Sequence, residues 1–144
     1  MDNERSLHRF VSAQDSDGAY RHAIAELRSG RKTSHWMWFV FPQIAGLGRS
    51  EMAERYAISS IQEARAYVAH PTLGPRLREC MVALLETEHR TSQEVLGEID
   101  AMKLRSSMTL FSIAAPNEPL FRQILDRYFA GAADEATLKL LRPA

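Results

Sequence analysis

Arg28-Ser29-Gly30-Arg31-Lys32-Thr33-Ser34-His35-Trp36-Met37-Trp38-Phe39-Val40-Phe41-Pro42-Gln43 holds the one passage where the secondary structure of this chain is in question. Trp36 to Phe41 is apolar at every position, so it carries no period and reads either as a buried strand or as a turn and a half of helix. Pro42 ends it in both cases. Everywhere else the hydrophobic spacing is helical. Upstream, Tyr20, Ala23, Ile24 and Leu27 form one apolar face that stops at Gly30, and Leu7, Phe10 and Val11 mark a shorter helix before the turn-rich Asp15-Ser16-Asp17-Gly18.

Downstream, start and stop signals cut the chain into short pieces. Ser50 can cap a helix with Glu51 and Glu54 in its first turn. Ser60-Ile61-Gln62-Glu63 and Thr91-Ser92-Gln93-Glu94 are capping-box patterns, the first closed by His70-Pro71 and the second by Gly97. Gly74-Pro75 opens a helix with a core stripe of Leu77, Cys80, Met81, Leu84 and Leu85. Asp100 can cap Ala101 to Ala115, Asn117-Glu118-Pro119 starts the next helix, and Asp134 with Thr137 begins the last. β-branched runs are nearly absent and no hairpin dipeptide occurs. The expectation is a single all-α domain, residues 1–144, of seven or eight short helices, with a small strand pair near Trp38 as the alternative.

The totals bound the class. A chain of 144 residues with 45% hydrophobic and 25% charged residues is an ordinary globular domain. Lys and Arg number 18 against 18 Asp and Glu, so no net field favours non-specific nucleic-acid binding, and any anion affinity must be local. Cys80 is the only cysteine, which excludes an internal disulfide and points to a reducing compartment. The polar start Met1-Asp2-Asn3-Glu4-Arg5 does not resemble a leader, and Trp36 to Phe41 is too short to span a bilayer. A cytoplasmic protein without a membrane partner is expected.

The chemistry concentrates in two clusters. The quoted segment sets Arg28, Arg31 and Lys32 against four large aromatics, including both tryptophans of the chain. Arg31 or Lys32 can hold a phosphate or carboxylate, Trp36 or Trp38 can stack on a ring, Gln43 can read its edge, and His35 is the histidine best placed for proton transfer. A buried indole also needs a partner for its N–H. The second cluster is Lys103-Leu104-Arg105-Ser106-Ser107, where Lys103 and Ser106 share one helix face. Ser29-Gly30-Arg31-Lys32-Thr33 is not a phosphate loop, because Gly30 is followed by Arg31, Ala25 stands where the earlier glycine belongs, and a helix precedes it. Gly46-Leu47-Gly48-Arg49-Ser50 reads as a turn with a cap before it reads as an anion loop. His8, His22, His35, His70 and His89 are scattered without metal-ligand spacing, so no metal is expected. No cofactor fingerprint and no complete catalytic set is present.

Three strings carry a family resemblance: Glu26 to Gln43, centred on Lys32-x-x-His35-Trp36-Met37-Trp38-Phe39; Tyr67-Val68-Ala69-His70-Pro71-Thr72-Leu73-Gly74-Pro75-Arg76-Leu77; and Asp100-Ala101-Met102-Lys103-Leu104-Arg105-Ser106-Ser107-Met108-Thr109-Leu110-Phe111. They are similar to domain-of-unknown-function family 1810, which implies a small, mainly helical bacterial protein. Members have sometimes carried the label calpastatin, yet this balanced sequence lacks the disordered, repeated character of that inhibitor. A fainter similarity, in Ser60-x-x-Glu63-Ala64 and the basic helix after it, reaches the NADAR N-glycosidase-like family. It implies a nucleotide or ribose-phosphate pocket with N-glycosidic hydrolysis, although that family's catalytic pattern does not map onto these residues.

The sequence therefore points to binding of a small anionic, ring-bearing ligand by Arg31, Lys32, His35, Trp36, Trp38, Gln43, Lys103 and Ser106, provided the two clusters meet in space. The alternative is a protein-interaction or homo-oligomerisation module with the tryptophans as anchors.

Overall fold

The computed structural model describes residues 2–87 and 90–142, and His89 lies outside them. The disputed run is helix: Met37–Val40 (α3) closes with Val40 N donating to Trp36 O at 3.2 Å and Phe41 N to Met37 O at 3.1 Å. Trp36, Met37, Phe39, Val40 and Phe41 are all buried and only Trp38 leans outward, which is why the run shows no period. The strand alternative shrinks to one parallel bridge between Ile44 and Ile58, with Ile58 N donating to Gln43 O and Ala45 N to Ile58 O, both at 2.8 Å.

Around this turn lie α1 (Asp2–Asp15), a 3-10 turn (Ser16–Gly18), α2 (Ala19–Ser29), α4 (Glu51–Arg55), α5 (Ile61–Ala69), α6 (Leu73–Leu85), α7 (Ser92–Leu96), α8 (Glu98–Ala114), α9 (Pro119–Phe129) and α10 (Glu135–Leu141). The all-α expectation holds. The helices number ten among the described residues rather than seven or eight, because α3, α4 and α7 are single turns of four or five residues.

Local chemistry sets most boundaries. Ser50, Ser60, Thr91 and Asp134 each accept from a backbone N–H in the first turn of α4, α5, α7 and α10, and Thr91 with Glu94 completes a capping box. Gly30 ends α2 at φ 80°, in the left-handed region open to glycine, with Gly30 N on Leu27 O and Arg31 N on Glu26 O. Two expected boundaries move. Pro75 is the third residue of α6, which starts at Leu73, where His70 Nδ1 accepts from Thr72 N and Leu73 N at 3.0 and 3.2 Å. Asp100 does not cap α8, which begins two residues earlier behind Gly97; its carboxylate faces lysines instead.

Helix α8 lies at the centre, packed by α5, α7, α9 and α10, while α6 joins α2, α5 and α9. Phe111 sits between Tyr67 and Phe121 at centroid distances of 5.3 and 5.5 Å; burial of one such ring contributes about 2 kcal/mol. Helix α1 covers α2, α3 and α5. It holds α3 through Gln14, a buried amide that donates to Phe39 O at 2.7 Å and Tyr67 Oη at 3.2 Å while its oxygen accepts from Arg76 at 3.2 Å.

Candidate functional site

The loop between α2 and α3 is organised by Glu26, the lone acidic residue between Gly18 and Ser50. Its carboxylate accepts from Thr33 N at 2.8 Å, Ser34 N at 3.0 Å, Ser34 Oγ, and the Trp36 indole N–H at 2.9 Å. Burial pushes its carboxyl upward, but these hydrogen bonds outweigh it and hold the group down at about 2. Trp36, 1% exposed, thus finds the acceptor that a buried indole requires.

The same loop runs on to the second cluster. Lys32 N donates to Val95 O at 2.7 Å, and the Lys32 ammonium, 8% exposed, reaches Asp100 at 2.8 Å and sits 5.1 Å from a Trp36 ring centroid. Lys103 lies one turn on, 3.8 Å from the other Asp100 oxygen and 5.3 Å from a Trp38 ring centroid. The two clusters therefore meet, joined by an aspartate that sequence spacing assigns to a cap. Lys32 is neutralised and buried. Lys103 is the looser partner, held over the indole.

The eight candidates do not line one cavity. Trp38 and Gln43 border a cleft of about 310 Å³ with Arg49, Glu54 and Tyr56. Within the described residues, the Gln43 amide has no hydrogen bond and Arg49 no ion pair. His35 and Trp36 border a second cleft of about 630 Å³ with Arg9, Asp17, His22, Phe39 and Tyr56. Arg31 is exposed and borders neither. Ser106 is buried and donates to Asp134 at 2.9 Å, anchoring the start of α10.

Arg9 and Glu63 underlie the second cleft. Arg9 Nη2 is 3.3 Å from Glu63 Oε1, and Arg9 also donates to Arg55 O at 2.9 Å and Ala57 O at 2.7 Å. Burial pushes the Glu63 carboxyl upward, but hydrogen bonds from Ser6, Arg9 and Ser59 N, with the Arg9 charge, bring it below its ordinary value. Burial pushes the Cys80 thiol up to about 12, so it is an unreactive core group. Among the described residues no three His, Cys, Asp or Glu side chains form a metal-binding group, and no helix is long and apolar enough to cross a membrane.

The family model described as "Protein of unknown function (DUF1810)" matches residues 4–141. The chain belongs to the DUF1810 family. The similarity extends to three dimensions: the crystal structure of the conserved hypothetical protein Rv1873 from Mycobacterium tuberculosis is 48% identical, with a TM-score of 0.92 over 96% of this chain and 97% of that one. No curated protein matches. The DUF1810 resemblance carried by Lys32-x-x-His35-Trp36-Met37-Trp38-Phe39 thus rests on the strand-like run that folds as α3, its loop, and the lysine that ties that loop to α8. Sequence spacing missed Glu26 and Tyr56. The need of a buried indole for an acceptor pointed toward Glu26, since no other carboxylate lies near it along the chain.

Proposed function

We propose that this DUF1810 protein binds a small anionic, ring-bearing ligand of the nucleotide or ribose-phosphate type in the cleft bordered by Trp38, Gln43 and Arg49. The observation that carries this reading is the coincidence on one concavity of a half-buried indole with an amide and a guanidinium that have no partner among the described residues. Trp38 offers a stacking surface, Gln43 a donor and acceptor for a ring edge, and Arg49 a bidentate fork for phosphate. Lys103 adds a second cation at the indole. The volume of about 310 Å³ suits a small ligand. Lone, buried Cys80 fits a reducing, cytoplasmic setting.

Calorimetric titration with ribose 5-phosphate and AMP tests the reading. Wild type is expected to bind at least one of them, Trp38→Ala and Arg49→Ala to weaken it tenfold or more, about 1.4 kcal/mol each, and Arg31→Ala to leave it unchanged. Absence of binding, or equal loss in Arg31→Ala, overturns it. N-glycosidic hydrolysis would need a carboxyl at the sugar, and Glu54 is the one that borders this cleft. Release of free base by wild type but not by Glu54→Gln would extend the reading from binding to turnover.

The interaction-module alternative draws on Ile99 and Met102, 72% and 68% exposed on one face of α8 beside Lys103. Trp36 is too buried to anchor a partner. Light scattering tests this reading: a dimer that Ile99→Asp disperses favours it, and a monomer at all concentrations rejects self-association.

A further inference from the structure

The larger cleft has a different charge character. Arg9 is its one permanent cation, and that guanidinium is committed to Glu63 at 3.3 Å and to the carbonyls of Arg55 and Ala57. With that pair cancelling, the charge left on the walls is Asp17, which makes no hydrogen bond or ion pair within the described residues. The remaining titratable groups that border the cleft are His22 on α2, His35 in the loop and Tyr56 after α4. Glu26 stands behind Ser34 and Trp36, and its carboxylate is taken up by four donors. Phe39 and Tyr56 form an edge-to-face pair at 5.4 Å and supply aromatic walls.

A carboxylate without a partner among the described residues, bordering the same cleft as aromatic rings, is an arrangement that attracts an organic cation, through Coulomb attraction and the negative faces of the rings. Asp17 stands at φ 53°, a left-handed conformation uncommon outside glycine, asparagine and aspartate, in the turn between α1 and α2.

We propose that the cleft bordered by Asp17, His22, His35, Phe39 and Tyr56 is a separate site for a ring-bearing organic cation, a quaternary or protonated amine. This site and the Trp38 cleft take ligands of opposite sign, so the two readings stand or fall separately.

The probe is benzyltrimethylammonium, whose charge does not titrate. Calorimetry at neutral pH is expected to show saturable binding. Asp17→Asn, which tolerates the same left-handed backbone, is expected to weaken binding at least fivefold with its thermal midpoint little changed. His35→Arg, which places a permanent cation on the wall, should abolish it. Absence of saturable binding, or indifference to Asp17→Asn, overturns the assignment. Ribose 5-phosphate titrated against the same variants reports on the Trp38 cleft alone.

Discussion

Glu26→Gln isolates the worth of one charge at the loop that carries the site. The amide keeps an oxygen where Thr33 N, Ser34 N and the Trp36 indole converge, all three on Oε1, so the change removes charge rather than shape. The folded carboxyl stands at about 2 against an ordinary value of 4.5. At about 1.4 kcal/mol per unit that depression corresponds to about 3 kcal/mol, and discounting for the part of the side chain left in solvent brings the expectation to about 2 kcal/mol. A depressed carboxyl contributes its full stability above the unfolded value and loses it as pH falls through the folded one. The gap between wild type and Glu26→Gln should therefore be about 2 kcal/mol at neutral pH and shrink between about pH 4.5 and pH 2. Urea unfolding followed by circular dichroism at several pH values measures it. Glu63 titrates in both proteins and cancels in the difference. A gap that persists unchanged at about pH 2.5, or no gap at neutral pH, would refute the claim that Glu26 is held ionised by the loop.

Asp100→Asn leaves the Lys32 ammonium, 8% exposed, without its counter-charge and should cost about 3 kcal/mol in chemical denaturation. Gly74→Ala would place a Cβ 2.2 Å from Val68 O, a backbone atom that cannot swing aside, so the thermal midpoint should fall by an amount equivalent to about 2 kcal/mol or more. Ser107→Ala should be neutral or stabilising by about 1 kcal/mol, since the Ser107 hydroxyl is buried without a partner among the described residues; marked destabilisation would show that it is satisfied. Ser106→Ala should raise hydrogen exchange across α10 by about tenfold, because Ser106 holds the Asp134 cap, while α2 and α6 exchange as before.

Most of the helices were legible because their signals are local. Thr91 to Gly97 shows this best: a capping box, one turn and a glycine lie where the sequence places them. The disputed run was not legible, since a turn buried on all sides has no amphipathic period to display. Asp100 misled for a related reason, because an aspartate ahead of a helical pattern looks like a cap until a distant lysine claims it. Within the candidate site, aromatic and cationic composition drew attention to Trp38, Gln43 and Lys103, and the fold brings these together. Composition could not separate Lys32, neutralised by Asp100, from Arg49, unpaired among the described residues, because that difference depends on contacts made across the fold. His35 and His22 lie thirteen residues apart in sequence and border the same cleft only because α2 turns back at Gly30.

The outward lean of one indole and the burial of the other give this protein two optical probes of different reach. Trp36 emits from a dry setting between a carboxylate and an ammonium, so a collisional quencher such as acrylamide should touch it only when the loop opens. Trp38 borders the smaller cleft and should be quenched in the folded state, then shielded by any occupant that stacks on it. Single-tryptophan variants Trp36→Phe and Trp38→Phe would assign the two emissions, letting one cuvette follow unfolding and occupancy as separate signals.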